Sequence, residues 1–341
     1  MKFKKIAALS TAVIMSASML VGCGNNKSKE NTDKSFKIGM VADIGGINDE
    51  SFNQSAWEGL QKAEKDFGIE VKVIESKQAS EYLQNMESLL DEDVDMVIGV
   101  GYTMKEDIEK QAKNYPDKQF VLIDETYDSI PENVTPILFR ENEAAYLTGL
   151  VAGKMTENNN VGFIGGIQTP VISRFEYGYK AGVKEANKDC NVNVQYAGTF
   201  SDAAKGKSIA NQMYGNGSDI ILAAAGGTGL GSIESAKEQN KYAIGVDRDQ
   251  SDLAPKNVLT SALKKVNVGV YDTVKEFIEG KLKGGQEKVY GLKEDGVGIP
   301  ETTKNLVPQD IIDYVNSMIE KIKNDEIKVP SNEEEYKSMQ K

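Results

Sequence analysis

The sequence predicts an α/β protein of two doubly wound parallel-sheet lobes. Short apolar runs alternate with amphipathic stretches from Phe36 onward, a pace that builds parallel sheets with helices on both faces. The same order of segments returns about 123 residues later. That period is too long for a solenoid or propeller and marks a duplicated domain. The 341 residues also exceed the ~250–300 at which one core stops growing.

In the first half, Phe36–Ala42 (FKIGMVA) reads as a strand, followed by a polar loop rich in Gly, Asn and Asp. Ser51 to Phe67 carries apolar residues at helical spacing, and Ile69–Ile74 alternates like a strand. Helix Glu81–Leu90, strand Met96–Val100, helix Lys105–Asn114 and strand Gln119–Ile123 continue the series. In the second half, Asn160-Val-Gly-Phe-Ile repeats Lys37-Ile-Gly-Met-Val, and Phe175 with Gly182 repeats Phe52 with Gly59. The stretch ending at Asp247 parallels the one ending at Asp124.

Three later segments are expected to cross between the lobes. Strand Val258–Leu263 crosses back, helix Asn267–Glu279 joins the first lobe, and Lys288–Leu292 crosses again before helix Asp310–Lys323 completes the second. The expected division is 36–137 with 265–288 for the first lobe and 138–264 with 289–330 for the second. The charged end from Asn324, and 331–341 in particular, reads as a surface tail.

Lys2, Lys4 and Lys5 precede the apolar stretch Ile6–Val21 and then Gly22-Cys23. The stretch is too short and too rich in Ala and Ser for a permanent span and reads as a secretory signal over 1–22. A small residue before a Cys that closes such a stretch resembles a bacterial lipobox, which implies cleavage and acylation at Cys23. Two or more acyl chains anchor a protein stably. Residues 24–35 hold no apolar side chain and read as a flexible tether. The protein is thus expected on the outer face of the cell membrane, as a monomer. Cys190 is the other cysteine, and at a helix end it reads as inert.

Composition excludes several chemistries. With no histidine, the chain has no Ser-His-Asp triad and no HExxH zinc site. The excess of 52 acidic over 40 basic residues argues against nucleic acid, whose phosphates need a basic face. No metal and no cofactor is expected. Ala225-Gly-Gly-Thr-Gly-Leu-Gly231 follows a strand, but its spacing places Ser232 where a dinucleotide fingerprint has glycine, and no P-loop lysine follows.

Ligands of open parallel sheets sit beyond the carboxyl ends of the strands. Asp124 and Asp247 end equivalent strands, so each either caps the next loop or looks into a shared cleft, where a carboxylate suits a diol. The loop Asp43–Asn53 is the densest set of polar side chains, with Asn48, Asp49 or Ser51 available as helix cap. Phe52 at the helix start and Phe200 after a strand are each either core packing or cleft lining. One of Lys264 and Lys265 faces the cleft and the other faces water.

The segments DIGGINDESFNQSAWEGL (43–60), GFIGGIQTPVISRFEYGYKAG (162–182), FSDAAKGKSIA (200–210), AAGGTGLG (224–231), GVDRDQ (245–250) and LTSALKKV (259–266) resemble the basic membrane protein family. These are purine-nucleoside receptor lipoproteins that serve as substrate-binding components of ABC importers. The resemblance runs in order from about Lys37 to about Ile299 and implies the type I periplasmic-binding-protein fold, with two α/β lobes and a three-stranded hinge.

Carried over position by position, it implies that Phe52 and Phe200 sandwich a purine and that Asp247 accepts the ribose hydroxyls, with Lys264 reaching the ribose oxygens. Gly226 supplies a backbone contact, Asn48 binds near sugar or base, and Asp124 accepts from base nitrogens. The implied partners are a purine nucleoside and ABC permease subunits, and the mechanism is capture rather than catalysis. The same fold serves sensors and surface antigens, which differ in partner and not in cleft. A nucleoside hydrolase using Asp247 and Asp249 is the enzymatic alternative.

Overall fold

The computed structural model describes residues 36–340. The expected leader, Cys23 and the tether lie outside them. The first sheet is built from β1 (Lys37–Ala42), β2 (Glu70–Glu75), β3 (Met96–Val100), β4 (Gln119–Ile123) and β5 (Val134–Phe139), with α1 (Phe52–Phe67), α2 (Tyr82–Asp91) and α3 (Lys105–Asn114) between strands. The chain then enters the second lobe through α4 (Glu141–Met155), β6 (Asn160–Gly165), α5 (Pro170–Ala186), β7 (Asn191–Tyr196) and α6 (Ala203–Gly215). That lobe continues with β8 (Ile220–Ala224), α7 (Gly227–Gln239), β9 (Tyr242–Asp247) and β10 (Val258–Lys264). Helix α8 (Val266–Ile278) and β11 (Lys288–Tyr290) return to the first lobe. Strand β12 (Val297–Gly298), α9 (Gln309–Lys323) and α10 (Glu333–Met339) close the chain.

The two sheets have the orders β11-β5-β4-β3-β1-β2 and β12-β10-β9-β8-β6-β7. Under the duplication these orders are the same, strand for strand. All pairings are parallel except β12 on β10. Each order reverses beside its first strand, at β1/β3 and at β6/β8, which opens a crevice at those carboxyl ends. The chain crosses between sheets three times: after β5, after β10 and after β11. At the crossings the Arg140 N–H donates to Tyr290 O and the Lys265 N–H to Gly296 O.

Alternation explains the strands. Ile38 and Met40 point into one core layer and Val41 into another, because neighbouring side chains leave opposite faces. The repeated glycines do one job twice. A side chain at Gly59 would overlap the Asn267 carbonyl on α8, and one at Gly182 would overlap the Tyr146 carbonyl on α4. Glycine there lets each helix lie against its neighbour at backbone distance. Cys190 is buried, and burial pushes its thiol up to about 11, so it stays a thiol.

The charged end from Asn324 is mostly exposed, with Glu333 and Glu334 at the surface, and it is anchored to the body of the protein. Val329 is buried, and the Asn142 side-chain amide donates to its carbonyl at 2.9 Å. Asn332 caps α10 by accepting from the Glu335 N–H, and Tyr336 packs on Tyr177 of α5 with ring centres 5.9 Å apart. The acidic run 333–335 belongs there because anions suit a helix N-terminus. Among the described residues, no helix is long and apolar enough to cross a membrane.

Candidate functional site in the interlobe cleft

The cleft is assembled from loops at the carboxyl ends of both sheets. Phe52, Asp124, Phe200, Gly226, Asp247 and Lys264 all line one hollow, together with Asp43, Asp49, Asn53, Tyr102 and Phe175. Phe52 enters from the first lobe and Phe200 from the second. Both are partly buried and packed on the main core, so each ring has one supported face and takes part in core and cleft alike. Trp57 packs on the core and does not line the hollow.

Asn48 is corrected. It is exposed and absent from the lining, whereas its neighbour Asp49 is buried and lines the hollow. The cause lies in the capping of α1. Asp49 Oδ2 accepts the Asn53 N–H and Oδ1 accepts the Ser51 and Gln54 N–H groups, which turns Asp49 inward and Asn48 out. Ser51, at the formal cap position, makes no capping bond. Its hydroxyl instead donates across the cleft to Asp247 Oδ2. Asn53 donates to both Asp43 and Asp49, tying the loop into one acceptor-rich wall, and burial raises the Asp43 carboxyl.

Asp124 and Asp247 occupy equivalent strand ends, and both take left-handed backbone angles, φ 73° and 64°. That conformation is uncommon outside glycine and is tolerated best by Asp and Asn; here it turns each chain sharply at the crevice. Asp247 is only 8% exposed, and burial lifts its carboxyl to about 6 against the pull of Lys264 and Ser51. Burial also raises Asp124. Asp124 Oδ2 accepts from Lys264, while its Oδ1 is buried with no hydrogen-bond partner among the described residues. A buried acceptor without a partner, on a residue that lines the hollow, is suited to a ligand N–H or O–H.

The adjacent lysines are told apart by strand alternation. Lys264, the last residue of β10, is 2% exposed. Its ammonium lies 4.6 Å from the centre of the Phe52 ring and 5.5 Å from that of Phe139. Burial pulls that ammonium down, but Asp124, Glu141 and Asp247 together hold it above its ordinary value. Lys265 points the other way and pairs with Asp295 at 2.7 Å.

Gly226 has φ 53° at the start of α7, where a side chain would come within 3.2 Å of the Phe200 carbonyl. Thr228 does not cap α7. Its hydroxyl accepts the Asp202 N–H and its own N–H donates to Phe200 O, so it fixes the loop that presents Phe200. Asp249, the second acid of the enzymatic alternative, accepts from Thr302 at 2.7 Å and is not part of the lining.

Several bonds join the lobes across the mouth. Besides Ser51 to Asp247 and Lys264 to Asp124, Arg248 donates to Glu50 at 2.6 Å and to Glu58 at 2.9 Å. The Gln250 side chain donates to the Glu50 carbonyl at 2.8 Å. Such pairs form only when the lobes meet, so they favour the closed arrangement. The arginine and its partners are partly exposed, which keeps each pair to about 0.2–1 kcal/mol. Arg248→Ala is therefore expected to speed ligand release about threefold to tenfold and to expand the protein in solution scattering. An unchanged release rate in stopped flow would remove the latch from the account.

Sequence reasoning passed over Tyr102 and Glu141, and named Asp43 only as one end of the polar loop and Phe175 only in the repeat. Phe175 was recoverable, since it is the repeat partner of Phe52.

The model of the family described as "ABC transporter substrate-binding protein PnrA-like" matches residues 36–333. The CD4+ T-cell-stimulating antigen of Listeria monocytogenes is 39% identical, over 96% of this chain and 99% of that one. The ABC transporter nucleoside-binding protein BmpA of Lactococcus lactis is 38% identical, over 87% and 91%. Among solved structures, an ABC transporter system solute-binding protein from Aeropyrum pernix superposes with a TM-score of 0.82 at 27% identity, covering 89% of this chain and 96% of that one.

Proposed function

The chain belongs to the Bmp family of PnrA-like ABC transporter substrate-binding proteins, and on that footing we propose that it captures purine nucleosides between its lobes and passes them to an ABC importer. The observation that carries the reading is the meeting, in one hollow, of an aromatic side chain from each lobe with two buried strand-end carboxylates. Two rings stacked on a flat base add roughly 0.5–1.5 kcal/mol each beyond area burial. The Asp247 carboxylate takes the paired ribose hydroxyls, Lys264 the ribose oxygens, and the open Asp124 Oδ1 a base N–H. The family is one of solute-binding proteins, so the cleft holds its ligand without changing it. Acylation at Cys23 would keep the receptor beside its permease, on the outer face of the cell membrane.

Charge supplies a discriminating test. The hollow is lined by Asp43, Asp49, Asp124 and Asp247 against the single cation Lys264, so a phosphate group would meet like charge in a poorly hydrated space. Calorimetry with adenosine, guanosine and inosine is expected to give tight binding. The corresponding monophosphates are expected to bind at least about 100-fold more weakly. Binding of none of the three nucleosides rejects the ligand class, and equal binding of a monophosphate rejects the charge argument. A nucleoside sensor without a transport role would have the same cleft; loss of nucleoside uptake on deleting the gene separates the two.

A further inference from the structure

Glu141 is fully buried but lies outside the lining of the hollow. It opens α4 immediately after the first crossing, while Lys264 ends β10 immediately before the second. Its Oε1 lies 3.4 Å from the Lys264 ammonium. Arg174 of α5 approaches from the other side and donates through Nε to Glu141 Oε2 at 2.6 Å. A charge chain thus runs Asp124–Lys264–Glu141–Arg174, from the first-lobe wall of the cleft into the second lobe.

We propose that Glu141, pinned by Arg174, is a positioning residue for Lys264 and so tunes ligand affinity without touching the ligand. The inference rests on reading Lys264 as a ligand contact. A buried ammonium needs nearby carboxylates to offset its desolvation. Lys264 reaches across and donates to Asp124 in the first lobe. Glu141, 3.4 Å from the ammonium, adds a second carboxylate beyond Asp124, and the ammonium so held lies over the Phe52 ring. Arg174 keeps the Glu141 carboxylate in that orientation with a charge-assisted bond. The arrangement also ties the ends of two crossing segments together, so Lys264 is set by the same contacts that fix the hinge.

The test combines a double-mutant cycle with a direct view of the lysine. Glu141→Gln keeps the shape and an acceptor for Arg174 but removes the charge. In protein labelled with ¹³C-lysine, the Lys264 Cε resonance, assigned by its loss in Lys264→Met, is expected to move in Glu141→Gln. Inosine affinity is expected to fall about tenfold, and Glu141→Gln is expected to cost nothing further in the Lys264→Met background. Arg174→Gln, at the partly exposed end of the chain, is expected to move the same resonance and to weaken binding about threefold; it gives both readouts if Glu141→Gln fails to fold. The proposal is overturned if the resonance stays in place, or if the affinity loss is the same with and without Lys264, as a purely structural role requires. Should wild-type protein bind no nucleoside while the resonance still moves, the nucleoside reading falls and the positioning role stands.

Discussion

Asp247→Ala is expected to weaken ribonucleoside binding about 100-fold and to erase discrimination between ribose and 2′-deoxyribose. The carboxylate is buried at the end of β9, and two hydrogen bonds from hydroxyls to a charged acceptor are worth roughly 1.5–3 kcal/mol each. The deoxy comparison separates this loss from damage to the fold. Wild type loses one bond on the deoxy ligand, about tenfold, whereas a variant without the acceptor has none to lose. If Asp247→Ala still prefers the ribonucleoside tenfold, the ribose assignment is wrong.

The same residue sets a pH dependence. Burial raises Asp247 to about 6, so the folded protein retains a proton there that the unfolded chain gives up near 3.8. Stability of the free protein from this group therefore falls as pH rises from 3.8 toward 6. Hydroxyl donors need the ionised form, and so ribonucleoside affinity is expected to rise about tenfold between pH 5 and 7 and then level off. Groups facing Asp247 are Lys264, Asp49, Asp124 and the Ser51 hydroxyl. In Asp247→Asn the rise should disappear, and titration calorimetry across that range reads it directly.

Phe52→Ala and Phe200→Ala are each expected to weaken binding about 10- to 100-fold, and the double variant to abolish it. Each ring offers one face to the hollow, and removing it forfeits contact area worth roughly 1.5–3 kcal/mol. Leucine separates area from stacking. Phe52→Leu keeps the apolar volume and loses the flat face, so its deficit should shrink to about 0.5–1.5 kcal/mol. Equal affinities for the Leu variant and wild type would mean that the ring is packing and not a platform.

The fold was legible because two signals agreed: alternation of strand and helix, and a duplication that places Asp124 and Asp247 at matching strand ends. The strands Met96–Val100 and Gln119–Ile123 and the helix Lys105–Asn114 were readable to the residue. Helix α4 was not, because it is buried on every side and a helix without a polar face has no amphipathic period to read. That also hid Glu141, an acid in a stretch where acids usually face water. Asn48 and Asp49 could not be separated from sequence alone, since either can cap α1; the bonds Asp49 makes to Ser51, Asn53 and Gln54 decide it. Composition at the end of the chain spoke for exposure but not for anchoring, as its acids sit on a short helix whose Tyr336 docks on α5.

A crystal structure of the protein grown with inosine tests the central claim most directly. The purine ring is expected between Phe52 and Phe200, one on each face, with both ribose hydroxyls within hydrogen-bond distance of the Asp247 carboxylate. Inosine bound elsewhere, or stacked on neither ring with Asp247 turned away from the sugar, would contradict the account.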